Sequence, residues 1–323
     1  MSELNEQGNV LLTLLADGEF HSGEKIGELL GVSRTSVNNY IKALQEIGLD
    51  IYKVTGKGYR SAVPIDLLNA QTIKNLSKNR NVHVEQILDS TNQWLLDRLP
   101  NLENGQSCIS ECQLTGRGRR GRTWVSPFAS HLYFSFYWRF DSGIDKLSGL
   151  SLLVGIAAVN ALDKIGLHGV TLKWPNDLYY QGKKLAGILI ELNAQATEAC
   201  HTVIGIGINV RMPPEQAKLI DQPWSDLSQL SGEKVDRNLL SAALINELQT
   251  LLPQYEQTGL HPYLTRWLDL DCFLNKAVNL LIAGKTEAGI CRGINESGAL
   301  LLERDGVVEP YIGGEISLRL AKQ

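Results

Sequence analysis

Four arginines and three glycines share seven residues, Gly116-Arg117-Gly118-Arg119-Arg120-Gly121-Arg122, and no acid lies between Gln113 and Phe140. No such segment can enter a hydrophobic core, because guanidinium groups stay charged and glycine offers nothing to pack. The stretch must be a loop. Glycine permits φ > 0 and close approach of backbone to a ligand, and arginine forks match carboxylate and phosphate oxygens. It reads as a mobile loop that closes over an anion, although a solvated basic loop, or one meeting nucleic-acid phosphates, has the same composition. Two later strings favour the first reading: Lys173-Trp174-Pro175-Asn176-Asp177 and Gly182-Lys183-Lys184-Leu185-Ala186-Gly187.

The rest of the chain divides around that loop. In residues 1–64, Val10, Leu11, Leu14 and Leu15 form one helical stripe, and Ile26, Leu29 and Leu30 a second that Gly31 ends. Ser33 caps a third helix that turns Val37, Ile41 and Leu44 inward. This is a helix-turn-helix pattern, and its second helix turns Arg34, Thr35, Ser36, Asn38, Asn39 and Lys42 outward. Asp50 to Val54, the turn Thr55-Gly56-Lys57-Gly58 and Tyr59-Arg60 make a hairpin wing with Lys57 near its tip. Residues 1–64 carry six Lys/Arg against eight Asp/Glu, which alone would suit a protein-interaction module. From Ser33 to Arg60, however, five basic residues face only Glu46 and Asp50. That local excess favours DNA, with Ser33, Arg34, Thr35, Ser36, Asn38, Asn39, Lys42 and Lys57 as the binding set.

Pro64 marks a boundary, and Ile65 to Lys78 reads as a connecting helix. The expected strands are Val82–Leu88, Ser107–Gln113, Leu132–Phe140, Val170–Trp174, Leu178–Tyr180, Leu185–Leu192 and Thr202–Val210. Leu132 to Phe140 alternates apolar with mixed residues at period two, and Leu147 to Ile165 is apolar on nearly every side, the mark of a buried helix. Strands with few helices and no regular βαβ alternation indicate an α+β fold around a mixed sheet. Asp236 caps a helix towards Tyr255 that Pro253 should kink or end. After Trp267 come short strands at Val278–Ile282, Gly289–Ile294, Ala299–Leu302 and Ile316–Leu320, suggesting a small SH3-like barrel. The expected units are 1–64, 65–270 and 271–323.

Charge and composition exclude several classes. A net charge of -4 rules out a generic polyanion binder, so any nucleic-acid site is local. The amino terminus lacks a basic stretch before an apolar one, so no secretory signal is expected. Leu150 to Val159 is too short to span a bilayer, which implies no membrane partner. Five scattered cysteines suit reduced thiols of a cytoplasmic protein, and six scattered histidines show no metal-ligand spacing. Ala283-Gly284-Lys285-Thr286 is not a P-loop, because Asn279 stands where its first glycine belongs, and Gly205-Ile206-Gly207 is not a dinucleotide fingerprint.

On these strings, from the amino-terminal helices to Gly313-Gly314-Glu315-Ile316-Ser317-Leu318-Arg319, the chain resembles the bifunctional biotin–protein ligases and biotin-operon repressors of bacteria. The resemblance implies a winged helix-turn-helix, a central class II synthetase-like ligase domain and the carboxy-terminal barrel. It further implies ATP and Mg²⁺, biotin as substrate, a biotin carboxyl carrier protein as acceptor, operator DNA, and a homodimer when adenylate is bound. Lys184, Arg119, Arg117 and Asp177 would be catalytic. Ser90, Thr91, Asn92, Gln113, Gly116, Arg117, Gly118, Arg119, Lys184, Gly187 and Gly205 would hold biotin, with the small hydroxyls and amide suiting its neutral ureido ring. Arg119, Arg120, Arg122, Trp124, Asn176, Lys184 and Asn209 would hold ATP, Trp124 offering a face to adenine, while Trp174 packs in the core. Arg211 to Trp224 would be a lid over the adenylate.

Ala129 and His131 depart from the family, which commonly has Gly and Asn there, and Ala129 would be strained if its position needs φ > 0. A lipoate or octanoate ligase shares the expected catalytic fold, and a ligand-sensing regulator with an inactive ligase domain is the alternative of another class. The arginine loop and winged helix argue against the first, and the complete set Arg117, Arg119 and Lys184 against the second.

Overall fold

The chain is described from a computed structural model over residues 6–193, 199–282, 285–312 and 316–320. Helices α1 (Glu6–Leu15), α2 (Gly23–Leu30) and α3 (Arg34–Glu46) lead into an antiparallel hairpin, β1 (Ile51–Val54) and β2 (Gly58–Ser61). The side chains of Ser22 and Ser33 accept from the backbone N–H of Lys25 and Ser36, starting α2 and α3, and Gly31 at φ 66° stops α2. Leu11, Leu12, Leu15, Ile26, Val37, Ile41 and Leu44 are buried together with Leu14 and Leu30 packed against them, while Val10 and Leu29 of the expected stripes face outward. Gly58 is demanded by contact: a Cβ there would lie 2.0 Å from the carbonyl oxygen of His21, whose backbone exchanges hydrogen bonds with Tyr59. A unit this small is marginal by the surface it buries alone. Ile87, Cys112 and Phe128 from farther along the chain complete its core.

The expected helix from Ile65 is shorter, α4 (Ala70–Ser77). Asn69 caps it by accepting from Thr72 N, and upstream backbone is committed elsewhere: Ile65 N donates to Ala16 O, and Leu68 N to the Glu111 carboxylate. Then follow β3 (Val82–Leu88), α5 (Thr91–Leu96), β4 (Ser107–Gln113), β5 (Leu132–Phe140), α6 (Leu150–Lys164), β6 (Thr171–Lys173), β7 (Asp177–Tyr180), β8 (Lys183–Asn193) and β9 (Cys200–Ile208). They build one seven-stranded sheet in the order β3-β4-β5-β9-β8-β7-β6, with β3–β4 parallel and the other pairs antiparallel. The mixed sheet is thus present. β5 is buried on both sides, Tyr133, Ser135 and Tyr137 included, because α5 and the arginine segment cover the face its alternation left polar.

After α7 (Pro214–Ala217) and α8 (Ser228–Ser231) comes α9 (Arg237–Thr258), which packs on α6 behind the sheet. Pro253 does not end it. Leu252 and Tyr255 on either side are buried, and such burial outweighs the roughly 3 kcal/mol a helix-interior proline costs. Beyond α10 (Leu264–Leu270), β10 (Ala277–Ile282), β11 (Lys285–Ile294), β12 (Leu300–Arg304), β13 (Val307–Tyr311) and β14 (Ile316–Leu320) form an antiparallel sheet, ordered β13-β12-β11-β10-β14. β13 was not expected. It is an edge strand with Pro310 inside and Val307 and Val308 exposed, yet Asp305-Gly306 before it, both at positive φ, is a hairpin signal. The non-P-loop residues Ala283-Gly284, and Gly313-Gly314-Glu315, lie outside the described residues.

One buried junction ties these parts. Arg237, 6% exposed, donates to the Glu111 carboxylate at 2.6 Å, to His131 O at 3.1 Å and to Asp66 O at 2.5 Å, and Glu111, fully buried, also accepts from Leu68 N. Nearby Ala129 stands at φ 51°, the left-handed conformation that taxes a non-glycine residue. The His131 ring is fully buried, and its Nδ1 accepts from Val210 N at 3.1 Å. Removing one partner of a buried ion pair strands the other, so Arg237→Met should cost about 3–5 kcal/mol and Arg237→Met with Glu111→Leu clearly less. Urea unfolding of both variants checks this; equal losses would show that the charges do not depend on one another.

Burial pushes the His131 pKa down to about 3. The unfolded chain, titrating near 6.5, therefore binds a proton that the folded one refuses, and stability falls as pH drops below about 6.5, by about 2 kcal/mol at pH 5. His131→Asn should remove that component, which urea unfolding at pH 7 and pH 5 would read; an unchanged pH slope would contradict it.

Candidate active site

The site is assembled by register. Across β5, β9 and β8, Tyr133 pairs with Gly207 and Gly207 with Gly187, while Ser135 pairs with Gly205 and Gly205 with Leu189. Strand alternation puts these two rows on one face, and their glycines leave a shallow floor. The space is used. A Cβ on Gly207 would lie 2.6 Å from the Trp124 indole, and one on Gly205 2.4 Å from Asn92 Oδ1. Trp124 thus lies flat over the floor, with its indole Nε1 buried and unpaired.

β8 is irregular where chemistry needs it. Asp177 pairs with Gly187 and Leu178 with Ala186, but Tyr179 pairs with Lys184, leaving Leu185 as a bulge. That extra residue brings Lys184 to the face of Gly187, three positions on, which a regular strand would forbid. Lys184 Nζ lies 2.7 Å from Asp177 Oδ1 and 5.7 Å from the Trp124 ring centre. Its backbone pairs with the segment expected to be a lid, Lys184 N donating to Pro223 O and Ser225 N to Lys184 O.

The arginine segment carries backbone pairing of its own. It folds back as a narrow hairpin, Trp124 N donating to Gly116 O and Gly118 N to Arg122 O, with Arg117 bridged to Thr123. Gly116 is required because a Cβ would meet Trp124 O at 2.5 Å, and the tip turns through Arg120 at φ 59° and Gly121 at φ 68°. Arg119 donates to Asn176 Oδ1 at 2.8 Å, and burial together with Arg120 lowers its pKa while Asp177 opposes them. Arg117 donates to Glu191 at 2.9 Å.

At the other end, Ser90 caps α5, and Thr91 and Asn92 begin it. Gln113 Oε1 accepts from Thr91 N, and Ser135 Oγ lies 2.7 Å from Thr91 Oγ1 and 2.5 Å from Asn92 Oδ1. One cavity is lined by Ser90, Thr91, Asn92, Gln113, Arg117, Gly118, Arg119, Arg120, Arg122, Trp124, Asn176, Asp177, Lys184, Gly187 and Gly205. Two expected residues stand back from its wall. Gly116 serves the hairpin base, and Asn209 is buried with Nδ2 donating to Ser225 O, anchoring the stretch after Trp224. Trp174 is buried, as expected, with Nε1 donating to Gly298 O.

The cavity also takes Lys173, Gln222 and Leu318, which sequence reasoning did not single out. Lys173 stood in the quoted string; burial lowers its pKa, and it donates to the Tyr179 hydroxyl. Gln222 comes from the segment expected to be a lid and Leu318 from the quoted carboxy-terminal string, but nothing local marks either as the residue that reaches the cavity.

Of the DNA-facing set, Ser33, Arg34, Thr35, Asn39, Lys42 and Lys57 are exposed and Ser36 is half-buried. Asn38 is half-buried too, and its Oδ1 accepts from the Tyr59 hydroxyl at 2.6 Å, locking α3 to the wing.

The chain matches the HTH domain family over residues 7–60, the biotin/lipoate A/B protein ligase family over 84–209 and the biotin protein ligase C terminal domain over 273–319. It is 50% identical to the bifunctional ligase/repressor BirA of Escherichia coli, with 97% of each chain covered, and 30% identical to that of Bacillus subtilis, with 94% and 95% covered. Among solved structures, the biotin protein ligase of Aquifex aeolicus in complex with biotin and ATP superposes with TM-score 0.65 at 28% identity, covering 75% of this chain and all of that one.

Gly207→Ala should lift Trp124 from the floor without unfolding the chain. Its emission should shift to the red, with Trp124→Phe identifying that indole's share among the six tryptophans. An unshifted Trp124 component would mean that the indole does not rest there.

Proposed function

The chain belongs to the bacterial family of bifunctional biotin–protein ligases and biotin-operon repressors, and from that premise we infer a division of labour among its residues. It activates biotin with ATP to biotinyl-5′-AMP, transfers the biotinyl group to a lysine of a biotin carboxyl carrier protein, and represses the biotin biosynthesis operon. The observation that carries the ligase reading is the convergence of Lys184, Arg119 and Asp177 beside a glycine floor, under a hairpin of cations.

In the first step a carboxylate oxygen of biotin bonds to the α-phosphorus as the bond to pyrophosphate breaks. Two anions must meet, so the site has to be cationic in advance. We assign Lys184 to the carboxylate and α-phosphate, and Arg117 and Arg119 to the carboxylate and phosphates. Arg120, Arg122 and Asn176 would hold the nucleotide, with Trp124 beneath adenine. The neutral ring of biotin would lie against Ser90, Thr91, Asn92 and Gln113, over Gly187 and Gly205, with Gly116 and Gly118 shaping the hairpin above. Asn209 we now read as an anchor of the lid base. In the second step the acceptor amine bonds to the acyl carbon, AMP leaves, and the amine loses a proton; a free lysine, with pKa about 10.4, needs help with that loss. Asp177 is the carboxylate at hand, and its pairing also orients Lys184.

Among the described residues no cluster of three metal-ligating side chains occurs, so Mg²⁺ would arrive on the triphosphate and meet the protein at Asp177 and Asn176. There it would supply charge neutralisation.

For repression, α3 would enter the major groove with Ser33, Arg34, Thr35, Ser36, Asn39 and Lys42, while Asn38 holds the wing and Lys57 reaches a phosphate. One such module makes few phosphate contacts, and a homodimer of the adenylate-bound form would double them on a palindrome. We place the domain limits at 64/65 and 270/271. No helix among the described residues is long and apolar enough to cross a membrane, and DNA and ATP as ligands suit the cytoplasm.

Lys184→Ala should keep the fold and lower biotin-dependent ATP–pyrophosphate exchange ~10²–10³-fold, the scale of losing one donor aimed at transition-state charge. Near-normal exchange would sink the assignment, and exchange in wild type with lipoate instead of biotin would sink the substrate.

A further inference from the structure

Glu191 lies on β8 beyond Gly187 and Leu189, so alternation puts it on the face of the cavity floor, just outside the wall. It is an acid on an otherwise apolar strand, Gly187-Ile188-Leu189-Ile190-Glu191-Leu192. One of its oxygens, Oε2, takes two donors from two separate elements: Arg117 Nη2 at 2.9 Å and Asn92 Nδ2 at 2.8 Å.

Each contact has a consequence inside the cavity. A side-chain amide can present either end, but a carboxylate accepts only. With Glu191 on one side at 2.8 Å, and the Leu189 carbonyl a longer second acceptor at 3.3 Å, the Asn92 nitrogen faces them, and Oδ1 faces Ser135 and the space above Gly205. The cavity is thereby given an acceptor of fixed direction. Arg117 in turn is bridged to Thr123, the residue before Trp124, so holding Arg117 holds the closing strand of the hairpin over the floor. Half-exposed ion pairs contribute little to stability, so stability is a poor account of this acid.

We propose that Glu191 is a positioning residue for biotin: its carboxylate sets the direction of the Asn92 amide and holds the arginine hairpin through Arg117. This rests on the ligase reading above. Recognition of the neutral ring at one end of the cavity and of the carboxylate at the other then depend on one acid outside the wall.

The test uses the full-length chain and biotin-dependent ATP–pyrophosphate exchange. Glu191→Ala should raise the KM for biotin ~10-fold or more, the equivalent of one charge-assisted hydrogen bond, with smaller changes in kcat and in the KM for ATP through the hairpin arginines, while the melting temperature stays near wild type. Glu191→Gln keeps an acceptor oxygen and should fall between Ala and wild type. In a cycle with Arg117→Gln the losses should be non-additive. A biotin KM within twofold of wild type, or a fall in kcat alone, would overturn the proposal. Should the alanine variant fail to fold, a biotin KM for Glu191→Gln raised at least threefold supports the proposal and a smaller change overturns it. Wild type without exchange would instead overturn the ligase reading, and the positioning role with it.

Discussion

The Arg237–Glu111 ion pair is where the chain's separate pieces are made into one object. A fully buried carboxylate and a nearly buried guanidinium are tolerable only if their remaining donors and acceptors are met, and here three backbone groups from two other places meet them. Asp66 O and Leu68 N belong to the connection that follows the winged helix. His131 O belongs to the approach to β5, and Arg237 itself opens α9. Glu111 lies on β4, two residues before Gln113 at the edge of the cavity. An apolar pair would bury more favourably but would fix no directions. The charges hold the linker, the strand that feeds the arginine hairpin and the helix behind the sheet in one relative arrangement.

With that frame set, the site follows from register. Two rows across β5, β9 and β8 place Gly187, Gly205 and Gly207 beneath Trp124 and Asn92, and one bulged residue, Leu185, turns Lys184 to the same face. Glycine is needed here because aromatic and amide atoms come within van der Waals contact of the strand, and the φ values of these three are unexceptional. The polar groups above the floor then fix one another, from Gln113 to Thr91, and from Ser135 through Asn92 to Glu191 and Arg117. Such a preformed arrangement lowers the ordering cost when an anion enters.

Much of this was legible in the sequence, for identifiable reasons. β3 and β5 carry enough β-branched and aromatic residues, and β4 lies between clear turn signals, so that the expected limits match. The strings around Arg119, Asn176 and Lys184 are long enough to name the chemistry. What escaped depends on partners distant in sequence. Ile65 reads as helical, but its backbone N–H is bonded to Ala16 O, and the bond from the Asn209 amide to Ser225 O has no counterpart in the local pattern. β13 hid behind Pro310, although Asp305-Gly306 announced it. Glu191 did have a local signal, an acid in phase with Gly187 and Leu189, but its meaning needed Arg117 and Asn92 beside it. Ala129 is the opposite case: the sequence alone marked the strain, and the positive φ is there.

The same packing bears on how two activities share one chain. The winged helix completes its core with Ile87, Cys112 and Phe128, and Cys112 immediately precedes Gln113. Phe128 and Ala129 follow the arginine hairpin, and His131 joins that stretch to Val210, the residue before the lid segment begins. The hairpin and the proposed lid segment thus each end within a few residues of the DNA-binding module or of the junction that holds its linker. A ligand that shifts the hairpin or the lid segment would press on this shared wall, because a close-packed wall has few alternative arrangements. Reciprocity would then apply: the factor by which the adenylate changes affinity for operator DNA is the factor by which operator DNA changes affinity for the adenylate.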